Sequence, residues 1–164
     1  MHSSLDAILR SLELAPAILE EFVRTIPAEA LGSVRRPGFW TIERHVYHLA
    51  EVQPMLYGRL LRFRDEESPS FVPYLPGSGA APPPEVTVTS IDNALELFRL
   101  WRMKSLDLAG SQTDSYWTKT GTHPEYTAYT AFGLLRHIMM HDHWHMYRME
   151  ELWLTRDEFL TELQ

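Results

Sequence analysis

Four separate stretches of the chain repeat apolar residues at three- and four-residue spacing, the pattern of a helix with one buried face. The first covers about residues 4–24, and the second follows Thr41, a plausible N-cap, over about residues 42–64. The third begins after Ser90 and stops at Gly110, and the fourth covers about residues 130–155. No convincing strand pattern and no internal repeat accompany them. The sequence therefore predicts an all-α four-helix bundle, whose core is a usual place for metal sites built from facing helices.

Prolines, glycines and polar residues mark the connections between these helices. Residues 26–40 have turn chemistry and predict a loop, and residues 111–129 predict a polar connection. Residues 65–89 hold six of the eleven prolines, which predicts a long Pro-rich crossover between helices 2 and 3. A loop of this length can also form a lid over a site. Pro16 and Pro54 each remove a backbone hydrogen bond, so we expect them to bend or interrupt the first and second helices.

Length, composition and charge narrow the classes of function. A chain of 164 residues fits one domain, which we place over residues 1–164. Its 45% hydrophobic and 23% charged residues are ordinary for a soluble protein, and no apolar run is long enough to cross a bilayer. The first residues lack the pattern of an export signal, so we expect a cytoplasmic location. The formal charge of −7 argues against nucleic-acid binding and leaves a small-molecule substrate as the expected partner.

The eight histidines are unevenly distributed, with two in residues 45–48 and four in residues 137–145. At 100° per residue, His141 and His145 lie on the apolar line of the fourth helix, which also contains Leu134, Ile138, Met149 and Leu152. Two histidines four residues apart stack on one helix face and can share a metal, as in HExxH metalloproteases. Residues 142–144 read Asp-His-Trp, so the glutamate base of that motif is missing. Because the chain has no cysteine, any metal would be held by nitrogen and oxygen.

The alternative is a pair of hydrogen-bonded core histidines, which for one buried histidine would be the better interpretation. A shared cation is favoured here because it satisfies both buried imidazoles at once. Periodicity lets either His45 or His48 of the second helix face the fourth. His137 is predicted to flank the site rather than bind metal directly, and His143 to point to solvent. Di-iron carboxylate bundles are excluded, since no glutamate is followed three residues later by a histidine.

Three stretches in order carry a family resemblance. Residues 40–49 read Trp-Thr-Ile-Glu-Arg-His-Val-Tyr-His-Leu, residues 123–126 read His-Pro-Glu-Tyr before Leu-Leu-Arg-His at 134–137, and residues 141–145 read His-Asp-His-Trp-His. Together they resemble the DinB-like family of bacterial metal-binding four-helix bundles. The resemblance implies metal ligation by His48, His141 and His145, an up-down-down-up bundle and a homodimer. Where many relatives have Gln-Ile after the last ligand, this chain has Arg148-Met149. Arg148 could approach an anionic substrate, but a salt bridge at the bundle edge is the favoured interpretation.

Three histidine ligands leave coordination positions open, as in catalytic metal sites. We therefore expect a metal-dependent hydrolase or a low-molecular-weight-thiol S-transferase; for the latter the resemblance suggests bacillithiol, mycothiol or glutathione as cosubstrate. Zinc or nickel is expected ahead of iron or copper. His123 is a candidate acid or base, although a histidine before proline is often structural. Asp142 either orients a ligand imidazole or is a solvent-facing helix charge. The alternatives are a non-catalytic metal-binding or stress-responsive bundle, and a metal-free interaction domain.

Overall fold

The computed structural model describes residues 2–74 and 86–162. Four long helical units form the bundle, the second of them divided in two: α1 (His2–Thr25), α3 (Ile42–Glu51) with α4 (Gln53–Asp65), α5 (Ile91–Gly110) and α7 (Ala131–Leu154). Two single-turn helices, α2 (Ala28–Leu31) and α6 (Asp114–Trp117), precede α3 and follow α5. A 3-10 turn, Asp157–Phe159, follows α7. The predicted all-α four-helix bundle is confirmed.

The helix directions follow from two clusters of apolar side chains at opposite ends of the bundle. The first halves of α1 and α7 lie in one cluster, together with α4 and the second half of α5. The other cluster holds the second halves of α1 and α7, together with α3 and the first half of α5. The order is therefore up-down-down-up. Both α1 and the α3–α4 unit pack against α5 and α7, so α5 and α7 lie on a diagonal of the bundle.

Side-chain caps fix where three of the long helices begin. The hydroxyls of Thr41, Ser90 and Thr130 accept hydrogen bonds from amides three residues later, at 3.1, 3.1 and 2.9 Å. Each hydroxyl satisfies an amide that has no partner within its own helix. The predicted starts of the second, third and fourth helices are confirmed.

The two internal prolines have different outcomes. α1 continues through Pro16 as one helix. The second unit is interrupted at Val52, and Pro54 lies in the first turn of α4, where its missing N–H leaves no bond unmade. The interruption is only one residue long. Because it is so short, α3 and α4 remain one unit, with both histidines of this unit in α3.

Short regular elements occur where the sequence predicted none. The predicted loop 26–40 contains α2, and the predicted connection 111–129 contains α6 and β1 (Thr120–Gly121). β1 pairs antiparallel with β2 (Tyr129–Thr130), and Thr122 bridges to Ser70. The expectation of no strand was therefore wrong here, because strands of two residues are too short to show a period. The paired segments hold the turn with His123 against the end of α4.

A polar layer separates the two apolar clusters. We use this name for His48 of α3, Arg102 of α5, and His141, Asp142 and His145 of α7. All of these except the half-buried His141 are buried. Apolar packing above and below leaves these side chains to find partners among themselves. The candidate site is therefore built into the centre of the bundle.

Among the described residues, no helix combines the length and apolar character needed to span a membrane. The crossover predicted over residues 65–89 falls between the end of α4 and the start of α5, and it stays a prediction because residues 75–85 lie outside the described part of the chain. The possible lid formed by that segment also lies there.

Candidate metal centre

Two antiparallel helices bring four histidines together. His45 and His48 lie one turn apart on the buried face of α3, and His141 and His145 lie one turn apart on α7. Because the helices run in opposite directions, His45 lies opposite His145 and His48 opposite His141. Both candidates that periodicity left open on the second helix therefore face the fourth.

Three of these rings meet through their Nε2 atoms. Nε2 of His141 lies 3.2 Å from Nε2 of His48 and 3.2 Å from Nε2 of His145. One ring nitrogen from each of the three lies within 4.8 Å of the other two. Nitrogens that bind one tetrahedral zinc ion at ordinary bond lengths lie roughly 3.3 Å apart. The observed spacing fits a shared cation.

The hydrogen-bonding capacity of the three rings also fits a shared cation. A neutral imidazole has one N–H and one lone pair, so Nε2 of His141 cannot make two ordinary hydrogen bonds with two separate rings. The Nδ1 atoms of His48 and His141 are buried without a hydrogen-bond partner among the described residues. A cation bound by the three Nε2 atoms would leave the proton of each ring on Nδ1. Bonds to the cation would then replace the two competing contacts of His141 Nε2. The donor set therefore suits a divalent cation that accepts nitrogen ligands.

His45 contacts the outer side of this group. Its Nδ1 lies 2.8 Å from Nδ1 of His145, so one of the two nitrogens carries the shared hydrogen. If Nε2 of His145 binds a cation, its Nδ1–H donates to Nδ1 of His45, and His45 carries its own proton on Nε2. A hydrogen bond of this kind fixes the orientation of a metal-binding imidazole.

Trp40 covers the same histidines from the start of α3. Its ring lies 5.1 Å from the ring of His48 and is stacked at 12° to the ring of His145, with centroids 6.1 Å apart. The guanidinium of Arg44 in turn lies over the Trp40 ring, 5.1 Å from its centre. The half-buried indole keeps water away from one side of the group.

Burial keeps these imidazoles neutral. It lowers the pKa of His48 to about 3 and the pKa of His141 to about 4, in each case helped by a neighbouring histidine. Burial lowers the pKa of His45 to about 4, and the pKa of His145 falls well below its usual range for the same reason. The rings are therefore unprotonated near neutral pH, which is the state that binds metal.

Asp142 lies on the inner side of α7, between the two histidines of that helix. Its Oδ2 accepts a hydrogen bond of 2.6 Å from Arg102, and both side chains are 1% exposed. Burial raises the pKa of Asp142 to about 6 against the opposing effect of Arg102, so the pair is ionised at neutral pH. The interpretation of Asp142 as a solvent-facing charge was wrong. Its hydrogen bond goes to Arg102 across the bundle diagonal.

His123 and His137 border a cavity of about 230 Å³ that His48 and His141 also line. His123 is buried and accepts a 3.3 Å hydrogen bond from the amide of Glu125, and burial lowers its pKa, with a further contribution from Arg59. His137 is 3.2 Å from the hydroxyl of Tyr126, a position that flanks the three-histidine group.

The two remaining predictions concern Arg148 and His143. Arg148 forms an ion pair of 2.5 Å with Glu151 and a 3.0 Å hydrogen bond to Thr161, so the salt-bridge interpretation is correct. The pair is buried, however, and does not lie at an exposed edge. His143 is exposed, as predicted, and its Nε2 lies 3.1 Å from the hydroxyl of Ser11.

Trp40, Arg59 and Arg102 were not predicted from the sequence as part of the site, and no role beside His145 was predicted for His45. Arg102 carried a usable signal, because it falls on the apolar stripe of the third helix four residues after Phe98. The contact between the two Nδ1 atoms had no such signal. It depends on the relative rotation of two helices.

Comparison with known proteins identifies the family. The family model of the DinB superfamily matches the sequence over residues 11–156. Among solved structures, the chain is similar to YfiT from Bacillus subtilis, with a TM-score of 0.79 and 24% identity over 93% of this chain and 87% of that one. That protein is described as a probable metal-dependent hydrolase with an unusual four-helix bundle topology. No curated protein matches the chain. On the family match, which covers most of its length, this chain belongs to the DinB superfamily.

Proposed function

We propose that this protein is a metal-dependent hydrolase that holds one divalent cation with His48, His141 and His145. The observation that carries the proposal is the convergence of three ring nitrogens within 4.8 Å of one another inside the bundle. The description of the structurally similar YfiT as a probable metal-dependent hydrolase supports the same assignment. The proposed metal is zinc or nickel, with iron and copper as alternatives, because all the ligands are nitrogens.

A divalent cation bound by three protein ligands supplies an open position at which water or a carbonyl group is activated. The surrounding residues have separate tasks. His45 orients the ring of His145, and Trp40 excludes water from one side. The Arg102–Asp142 pair holds α7 at the level of its two histidines. We propose Asp142 as a positioning residue, since its Oδ2 accepts the hydrogen bond from Arg102.

His123 is the proposed acid or base. It lines the cavity shared with His48 and His141, and its lowered pKa leaves it neutral and able to accept a proton near pH 7. The 3.3 Å hydrogen bond from the Glu125 amide uses Nδ1, so Nε2 carries the hydrogen of the neutral ring. As a base, the ring would take a proton at Nδ1 in place of the hydrogen bond from Glu125, and the resulting imidazolium would then give its Nε2 proton to a leaving group.

The same ligand set would serve a low-molecular-weight-thiol S-transferase, in which a thiol takes the open position. A non-catalytic metal-binding or stress-responsive protein would use the site without turnover. The cavity beside the histidines favours turnover of a small molecule, because a storage or structural site needs no such space. A cytoplasmic location, a homodimer and the absence of nucleic-acid binding stay predictions from the sequence.

A substrate screen tests the proposal. Zinc- and nickel-loaded protein would be assayed with simple esters and amides, and with thiols plus electrophiles. We expect hydrolysis that is lost on chelation and in His48→Ala but kept in His143→Ala, whose histidine is exposed. Activity in the thiol reactions alone would identify the protein as an S-transferase and contradict the hydrolase assignment. Silence of the metal-loaded protein across the whole panel would contradict both and favour the non-catalytic alternative.

A further inference from the structure

The cavity beside the three-histidine group has three kinds of wall. Three of its lining residues are apolar: Val52, Met55 and Leu56. Two more, Tyr74 and Tyr126, are aromatic. The remaining side chains are polar: His48, Arg59, His123, Glu125, His137 and His141. An apolar cavity with a few convergent polar groups is the usual form of a small-molecule site.

Arg59 is held in place within this wall. Its Nη2 donates a 2.6 Å hydrogen bond to the carbonyl of Val72, and its Nη1 a 3.4 Å hydrogen bond to the hydroxyl of Tyr129. The guanidinium also lies 5.7 Å from the ring centre of Phe71. These contacts use neutral acceptors and leave part of the five-donor guanidinium fork for another partner. The side chain is therefore oriented before any ligand arrives.

The charge of Arg59 is not neutralised by an ion pair with any carboxylate of the described residues, whereas its neighbour Arg62 binds Glu66 through two nitrogens. Glu125 is the acidic residue among the side chains that line the cavity; its side chain is 54% exposed, and its Oε2 lies 4.0 Å from Nδ1 of His123. Its charge is therefore largely solvated. The guanidinium of Arg59 is therefore a fixed positive charge in the cavity wall, which His48 and His141 also line.

The volume limits what can bind. At about 230 Å³, the cavity is smaller than the roughly 300–1,000 Å³ that drug-sized ligands occupy. The occupant is therefore a small molecule of a few functional groups. A guanidinium fork matches the two oxygens of a carboxylate.

We propose that the substrate is a small organic anion whose carboxylate is bound by Arg59, with the bond to be cleaved lying towards His48 and His141. This inference rests on the proposed hydrolase function and names its substrate class. Arg59 acts here as a substrate-binding residue. The same geometry disfavours neutral substrates of equal size, because they would leave the guanidinium without its partner.

A pair of isosteric esters tests the proposal by binding. Monomethyl succinate carries a carboxylate, and methyl succinamate carries a neutral carboxamide in the same place. We expect the full chain to bind the first about tenfold or more tightly than the second. Arg59→Gln should bind both equally, Arg59→Lys should keep part of the preference, and Arg62→Gln should behave as the wild type. Calorimetric titration gives the affinities, and circular dichroism verifies that each variant is folded.

Titrations before and after removal of bound metal separate two explanations. A preference that depends on Arg59 and persists in the metal-free chain supports the proposal. A preference that disappears with the metal but survives Arg59→Gln would place the carboxylate on the cation and overturn it. Equal binding of the two esters by the wild type, or no binding of either at about 1 mM, would also overturn it. A chain that binds no metal or shows no turnover would contradict only the hydrolase proposal. The titration of metal-free protein needs neither metal nor turnover, so it tests the role of Arg59 separately.

Discussion

At the scale of single residues, the candidate centre depends on how each imidazole is turned. His48 and His145 are fixed by burial between helices and by the ring of Trp40. His145 has one further constraint, the 2.8 Å contact with Nδ1 of His45. Because this contact occupies Nδ1 of His145, Nε2 is the nitrogen of that ring left to face a metal ion. We therefore expect His45 to contribute to metal affinity without binding the metal itself.

Substitution of His45 by alanine tests this role. Removing the hydrogen-bond partner of a metal-binding histidine typically weakens metal binding by about 10- to 100-fold. We expect a loss of this size for zinc, measured by competition with a chelator of known affinity. His143→Ala removes an exposed histidine of the same helix pair and should leave the affinity unchanged. Wild-type affinity in His45→Ala would contradict a positioning role.

Residue identities could be predicted from the sequence only in part. Periodicity alone identified His141 and His145, since both lie on a line of apolar residues. It could not choose between His45 and His48, and the resemblance named His48. The structure shows why the choice was difficult, because both rings face α7: His45 contacts His145 through Nδ1, and His48 contacts His141 through Nε2. Arg59 could not have been found, since its importance depends on a cavity formed by several segments.

At the scale of the helices, the Arg102–Asp142 pair joins α5 to α7 across the bundle diagonal. Removing one member of a buried ion pair leaves an uncompensated charge and costs about 3–5 kcal/mol, whereas replacing both by apolar residues is often neutral. We expect Arg102→Met to lower the free energy of unfolding by that amount and Arg102→Met/Asp142→Leu to recover most of it. Urea unfolding of metal-free protein measures both. A change below about 0.5 kcal/mol in the single variant would contradict this account.

Gly121 tests the strand pair that positions the His123 turn. A Cβ at this position would lie 2.6 Å from the carbonyl oxygen of Pro69 and 3.0 Å from the ring of Phe71. We expect Gly121→Ala to destabilise the protein by about 1–3 kcal/mol through this overlap.

Gly58 provides the matched control for that substitution. A Cβ at Gly58 meets nothing within 4 Å, and alanine is favoured over glycine inside a helix by about 0.5–1 kcal/mol. Thermal unfolding should therefore show opposite signs for Gly121→Ala and Gly58→Ala. Equal effects would show that the close approach at Gly121 is relieved without cost.

The helical elements could be predicted because their periods and caps are local. Thr41 and Ser90 cap their helices where the sequence indicated, and the second unit is interrupted at Val52, two residues before Pro54. The short strands could not be predicted, since β1 and β2 are two residues each and have no alternation to detect.

At the scale of the whole molecule, the polar layer and the adjoining His45 couple stability to pH. The ordinary pKa of histidine is 6.5, and burial lowers it to about 3 in His48 and about 4 in His45 and His141. Between about pH 6.5 and pH 4 the unfolded chain therefore binds protons that the folded chain does not. Stability is lost as pH falls through this window. The raised pKa of Asp142, about 6 against 3.8, acts in the opposite direction and offsets about one histidine.

We expect the unfolding free energy of metal-free protein to fall by roughly 1.4 kcal/mol per pH unit for each histidine not offset by Asp142. Urea unfolding at several pH values measures the slope. His48→Ala should have a shallower slope, whereas the exposed His143 should not matter, so His143→Ala should retain the wild-type slope. A flat profile between these pH values would mean that the histidines are not held neutral by burial.

The proposed function depends on one divalent cation bound in the polar layer. Elemental analysis of protein purified without added chelator, with metal counted per chain, is the decisive measurement. We expect about one equivalent in the wild type and in His143→Ala, and almost none in His145→Ala. An unchanged metal content in His145→Ala, or a wild type that takes up no zinc or nickel when supplied, would contradict it.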